Sequence, residues 1–237
     1  MSSGFTLKQF HVNHGGCGMP VSTDGILLGA WAKLDQTQPI LDIGTGSGLL
    51  ALMAAQRTCD ASITAIELDP TAALVAKDNF GHSPWSARLS CIEANLIHWF
   101  PTISKQTFGS IVCNPPYFNF GQQAQQGQRA QARHTDTLSH SALLQALKHL
   151  LADNGQASLI LPTYEGEQLI KAATDYGLSC YRLCRVQSTT QKPIFRLLMA
   201  FTASENRNCE ETTLCIHDGN GYSAEFIALT QSFYLNM

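Results

Sequence analysis

Residues 39–55 read PILDIGTGSGLLALMAA, and three features of that stretch decide the fold. An apolar run long enough for one strand leads into a turn carrying Gly44, Gly46 and Gly48, and the turn opens into an apolar stretch of helical character. Glycines at alternate positions supply backbone with φ > 0 and let a ligand lie against main chain where no Cβ intrudes. The dinucleotide fingerprint G-x-G-x-x-G requires glycine at position 49, where this chain has Leu49, so the loop argues against a nicotinamide cofactor. About twenty residues further on, AIELDP ends a second β-rich run with Glu67, the spacing at which a carboxylate receives the two vicinal hydroxyls of a ribose.

Outward from this loop, short β-rich runs alternate with helical patterns, as in βαβ units around a parallel sheet. Strands are expected at 40–43, 62–67, 88–93, 110–113 and 157–161. Asp69 is a plausible N-cap with Pro70 at the first helical position, and Gly81 follows as a stop. Leu143, Leu144, Leu147, Leu150 and Leu151 recur at helical spacing in a segment expected to run to Gly155. Beyond Gly177, CYRLCRVQ and IFRLLMAF read as a terminal antiparallel pair, and the tail as a strand (TTLCIH), a DGNG turn and an amphipathic helix over 224–235.

The 237 residues, 44 % of them hydrophobic, suffice for one full core, and we read a single domain over 1–237. Within it, 1–38 form an N-terminal cap segment, 39–204 the core and 205–237 a C-terminal strand-and-helix extension. Eight cysteines include no C-x-x-C pair and several sit in apolar runs, which favours reduced buried thiols over disulfides or zinc. The first residues carry no apolar signal region and no run of about twenty apolar residues occurs, so the expected location is the cytoplasm. The net charge of −3 does not announce a nucleic-acid partner, but its distribution is uneven. Two acid-free windows hold Lys105, Arg129 and Arg133, then Arg182, Arg185, Lys192 and Arg196; they read equally as one electropositive face or as scattered solvated charges.

The glycine loop with its leading acid, D-x-G-x-G-x-G, resembles that of S-adenosylmethionine-dependent methyltransferases of the Rossmann-like class I. The resemblance implies an α/β fold with a seven-stranded, mostly parallel sheet, an antiparallel terminal strand and helices on both faces. It implies S-adenosyl-L-methionine as cofactor, held by Asp42, Gly44, Gly46, Gly48 and Glu67. It also places Asn95, after the third strand, where the family more often has an aspartate facing the cofactor's adenine; a helix or turn cap is the alternative role.

IVCNPPYFNF, residues 111–120, follows the fourth strand at the edge where such folds bind ligands. The amine of a base is a poor nucleophile because its lone pair is delocalised into the ring. Acceptors that draw its hydrogens out of plane favour the reactive form. The Asn114 side-chain oxygen and the Pro115 carbonyl suit that role, and Pro115 and Pro116 fix φ and leave no competing N–H. Tyr117 offers a face on which a flipped base stacks, with Phe118 as a second. The motif resembles the one shared by adenine-N6, guanine-N2 and protein-glutamine methyltransferases, in which Asn114 also lies beside the cofactor.

VSTDGILLGAWA (21–32), ARHTDTLSHSALL (132–144) and YSAEFIALTQSFYL (222–235) extend the resemblance to bacterial tRNA adenine-N6-methyltransferases that modify the purine 3′ of the anticodon in a valine tRNA. That family implies a tRNA substrate, no membrane, no metal and a monomer. An unpaired anticodon-loop adenine is also cheap to splay out. Arg129 and Arg133 are candidates for RNA phosphates, or surface charges; His134 is a substrate contact or a structural helix-entry residue; Thr23 and Asp24 are read as a helix cap over the cofactor. NFGQQAQQGQRAQAR (119–133) has the composition of a mobile loop able to close over a ligand. A protein-glutamine methyltransferase would carry a separate N-terminal helical domain, for which about 38 residues leave little room. A cofactor-binding RNA module without catalysis would show a damaged NPPY motif, and here it is intact.

Overall fold

The strand β3 (Ile40–Ile43) is buried at all four positions and β6 (Phe108–Cys113) at all six, the pattern of strands covered on both faces. They are neighbours at the centre of an eight-stranded sheet in a computed structural model that describes residues 4–15, 20–115, 138–204 and 208–236. On one side of the pair lie β4 (Ile63–Glu67) and β5 (Leu89–Glu93). On the other lie β7 (Leu151–Pro162), β9 (Ile194–Thr202), β8 (Ser179–Gln187) and β10 (Glu210–Cys215). Strands β3 to β7 run parallel; β9 alone is reversed, between β7 and β8, and β10 is parallel to β8. The sheet thus has one strand more than the seven expected, because the tail segment adds itself to the edge beside β8.

Helices cover both faces. Alternate residues of each strand face opposite cores: Leu41, Ile43, Ile111 and Leu159 pack with α5 (His140–Leu150) and α6 (Thr163–Ala173). Ile40, Ile63, Val112 and Ile160 face the other side, where α1 (Thr23–Trp31), α2 (Leu49–Arg57), α3 (Pro70–Gly81) and α7 (Ala224–Thr230) supply the partners. Helix α3 begins as its sequence predicts, with Asp69 accepting from Thr71 N–H at 2.8 Å and Pro70 inside the first turn. Helix α4 (Leu96–Trp99) is one turn.

Three expectations are corrected. The leucine-rich helix α5 ends at Leu150 rather than running to Gly155. Leu151 pairs with Phe108 in the sheet, and the register then jumps to Ser110–Gln156; the surplus residues bulge out, with Gly155 where a Cβ would lie 2.9 Å from the Phe108 carbonyl. The tail helix ends at Thr230 instead of continuing to 235, because the chain turns to give the Phe233 carbonyl to Lys8 N–H at 2.8 Å. Helix α1 is capped by Ser22, whose hydroxyl accepts from Gly25 N–H at 3.2 Å, and not by the Thr23–Asp24 pair. An N-terminal hairpin of β1 (Gly4–Thr6) and β2 (His11–Asn13), too short for a sequence pattern, completes the molecule.

Candidate active site

Strands β3, β4 and β6 end side by side. Ile43 pairs with Ile66 and with Cys113, so Gly44, Glu67 and Asn114 leave adjacent strand tips. The glycine loop turns with φ of 68° at Gly44, 56° at Gly46 and 90° at Gly48. A Cβ on Gly44 or Gly46 would meet nothing within 4 Å, whereas one on Gly48 would lie 2.5 Å from the Phe80 ring. The first two glycines therefore face open space and the third faces packed protein.

Asp42 is fully buried beneath this loop. Its Oδ2 accepts from Thr45 Oγ1 at 2.5 Å and from Ala51 N–H at 3.1 Å, which caps α2 where the N-cap Gly48 has no side chain to do so. Its Oδ1 has no hydrogen-bond partner among the described residues. Burial pushes the Asp42 carboxyl up to about 7; the two hydrogen bonds oppose that rise and the Glu67 charge adds to it. A buried acceptor without a donor, under two glycines that open onto space, fits a ligand that brings a cationic group to the loop.

Glu67 is half-buried at the tip of β4. Its Oε2 accepts from Gly46 N–H at 2.8 Å, and its Oε1 from Leu68 and Asp69 N–H at 2.8 and 2.9 Å. The residue expected to hold a ribose thus also staples the loop, and of its four lone-pair sites one, on Oε2, is left for a further donor. Asn95 takes the capping role: its Oδ1 accepts from Ile97 N–H at 2.9 Å at the start of α4.

One cleft joins the glycine loop to the NPPY corner. It is lined by Gly44, Thr45, Gly46, Ser47, Leu49 and half-buried Asn114, and closed on the other side by Pro20, Val21, Ser22 and Gly25. Pro115 is buried behind Asn114. Pro116, Tyr117, Phe118, Arg129, Arg133 and His134, together with the Gln-rich 119–133 segment, lie outside the described residues.

Sequence reasoning missed most of the wall that α1 brings. Gly25 and Gly29, one turn apart, let α1 settle on α2, since a Cβ there would lie 2.7 Å from Leu49 and 2.4 Å from the Met53 sulfur. The G-x-x-x-G spacing inside VSTDGILLGAWA was the available signal. Asp24 is an ion-pair partner, its Oδ2 2.7 Å from Arg196 Nε on β9. Arg182 likewise stacks at 3.9 Å over Trp31 and donates to its carbonyl, and Arg185 pairs with Glu211 at 3.3 Å. Three of the four cations in the second basic window are therefore committed to protein partners, which argues against the single electropositive face.

A glycine loop and an asparagine corner sharing one cleft at the carboxyl edge of such a sheet are the arrangement of a Rossmann-like methyltransferase. The methyltransferase small-domain family model matches residues 24–161. A protein of Photobacterium profundum named tRNA1(Val) (adenine(37)-N6)-methyltransferase is 59 % identical over 240 residues, covering 100 % of both chains. One of the same name from Aliivibrio fischeri is 51 % identical over 237 residues, again covering 100 % of both. A predicted O-methyltransferase from Agrobacterium tumefaciens superposes with a TM-score of 0.70 at 20 % identity, covering 89 % of this chain and 96 % of that one, a likeness of fold. The chain belongs to the methyltransferase small-domain family and, within it, to the tRNA1(Val) (adenine(37)-N6)-methyltransferases.

Proposed function

We propose that the chain methylates N6 of the unpaired adenine 37, next to the anticodon, in a valine tRNA, with S-adenosyl-L-methionine as methyl donor. The observation that carries this reading is the cleft that Asn114 shares with the glycine loop: an amine held at Asn114 sits beside whatever the loop binds. Full-length identity to enzymes of that name selects the substrate. The cofactor supplies an electrophilic methyl group, and everything else is done by the chain's own residues.

Asp42 favours a cationic group at the loop, Glu67 accepts from the ribose hydroxyls, and Gly44 and Gly46 leave room for main-chain contact. Asn95, whose carbonyl oxygen already accepts the cap bond, keeps one lone pair on that oxygen and its amide N–H donors for an adenine. At the acceptor side, Asn114 Oδ1 and the Pro115 carbonyl each take one hydrogen of the adenine amine and turn its lone pair out of the ring plane. Pro116 keeps the corner rigid, and Tyr117 with Phe118 stacks the flipped base. Arg129 and Arg133 are assigned to phosphates of the anticodon stem-loop, and His134 to a contact with the substrate. The reaction belongs to the cytoplasm, by a monomer, without metal.

The test is mass spectrometry of nucleosides from tRNA incubated with the chain and methyl-labelled cofactor. The label is expected in N6-methyladenosine of a valine tRNA. Label in a protein glutamine, or none in tRNA, overturns the reading.

A further inference from the structure

Asn79, near the end of α3, is 4 % exposed, and its side chain makes three hydrogen bonds, none within its own helix. Its Oδ1 accepts from Asn13 N–H at 2.9 Å; its Nδ2 donates to the Asn13 carbonyl at 3.0 Å and to the Ser47 carbonyl at 2.8 Å. One partner is a donor and two are acceptors, so the orientation of the amide is fixed by chemistry. Asn79 therefore pairs with the backbone of Asn13 as a neighbouring strand would, while its second N–H holds the glycine loop between Gly46 and Gly48. The adjacent Phe80 packs against Gly48.

Of the two things Asn79 joins, the loop lines the cleft and the hairpin packs in the same core cluster as the cleft residue Val21. Ser47 belongs to the loop, and Asn13 ends the hairpin, whose Phe5, Leu7 and Val12 share a core cluster with Val21 of the opposite wall. The hairpin is braced at its other end by the C-terminal tail, through Lys8 N–H to the Phe233 carbonyl and the Phe5–Tyr234 ring contact. With one side chain holding both loop and hairpin, movement of the loop is transmitted to the hairpin.

We propose that Asn79 is a positioning residue that couples the glycine loop to the N-terminal hairpin, so that cofactor binding at the loop also fixes the hairpin. The proposal rests on the cofactor reading given above. Asp in its place would keep the acceptor for Asn13 N–H but face two carbonyls with a negative charge, and Ala would leave three buried backbone groups unpaired.

Two measurements on the full chain test it. For Asn79→Ala, the KM for S-adenosylmethionine and the Kd for S-adenosylhomocysteine by calorimetry are expected to rise roughly tenfold, the scale of a lost buried hydrogen bond. The kcat at saturating cofactor should stay within about twofold, since Asn79 touches no reacting atom. In the unmutated protein, S-adenosylhomocysteine is expected to slow hydrogen exchange at the Asn13 N–H by roughly tenfold or more. A folded Asn79→Ala protein with a lower Tm but unchanged KM and Kd would mean a purely structural role and overturn the coupling. Should that variant not fold, Asn13 exchange in the unmutated chain decides: no slowing while the ligand binds refutes the proposal. Absence of any binding to the unmutated chain would instead bring down the cofactor reading, and this inference with it.

Discussion

Asn114 and Glu67 sit at the tips of the two strands that flank β3, yet their substitutions should fail differently. Asn114 lines the cleft and in our reading holds the amine as charge develops on nitrogen. Asn114→Ala should therefore lower single-turnover rate by about 10²–10³ while cofactor affinity barely moves. A full rate at saturating cofactor and tRNA would exclude the clamp. Glu67 has two tasks, since its carboxylate already binds the N–H groups of Gly46, Leu68 and Asp69 before any ribose is considered. Glu67→Ala should weaken S-adenosylhomocysteine by about 1.5–3 kcal/mol in calorimetry, the scale of a charged hydrogen-bond partner. An unchanged Kd would make the residue a staple only. Glu67 and Asn114 were legible in sequence because the first ends and the second directly follows a β-rich run, each at a fixed distance from the glycine loop. Asn79 was not, because its partners Asn13 and Ser47 lie 66 and 32 positions away and nothing local distinguishes it from any polar residue near a helix end.

Elements declared themselves where local chemistry and tertiary packing agreed. Helix α3 has both an Asp cap and a proline at its start, and the strands β3 to β6 are apolar runs bounded by turn residues. The α5–β7 junction misled for a definite reason. Leu150 and Leu151 both continue a helical period, but Leu151 is taken by Phe108 across the sheet, a pairing that local propensity does not encode. Glycines carried the same two kinds of information. Gly44, Gly46 and Gly48 look equivalent in the sequence, yet only Gly48 abuts a side chain. Gly48→Ala combines a left-handed backbone with a methyl 2.5 Å from the buried Phe80 ring, so it should cost more stability than Gly46→Ala, which meets only open space. We expect a cost of about 2–4 kcal/mol for Gly48→Ala against about 1–2 kcal/mol for Gly46→Ala in urea unfolding. Gly46→Ala should show its larger effect in cofactor affinity, because its Cβ would occupy the cleft. Equal stability losses would mean that the loop and α3 separate readily, against the packing described.

At the scale of the whole molecule, the buried Asp42 should leave a signature in global stability. Its carboxyl is raised from the ordinary 3.8 to about 7, mainly by burial. In the folded protein it therefore keeps a proton that the unfolded chain gives up, across the window between those two values. More protons bound in the folded state means that stability falls as pH rises through the window, by up to about 1.4 kcal/mol per pH unit, and levels off above it. Asp35 acts with the opposite sign and elsewhere. Hydrogen bonds from the Gln38 and Thr37 N–H groups lower its pKa, so its contribution is present above about pH 4 and lost as acid protonates it. Between pH 5 and 7 His14 and His140, whose pKa values burial lowers from 6.5, add a rise of stability with pH, so the Asp42 effect is read as a difference in which their contributions cancel. Asp42→Asn removes the titration while keeping an oxygen for Thr45 and Ala51, so the difference in urea-unfolding free energy between the unmutated chain and this variant is the observable. That difference should shift against the unmutated chain as pH rises from 5 to 7. Saturating S-adenosylmethionine should flatten it, because a cationic group beside Asp42 stabilises the carboxylate and removes the reason for holding a proton. A pH-independent difference in the ligand-free protein would show that Asp42 is already ionised when buried. The unpaired Oδ1 would then have to be solvated, and the fit of a cationic ligand to this loop would lose its main physical support.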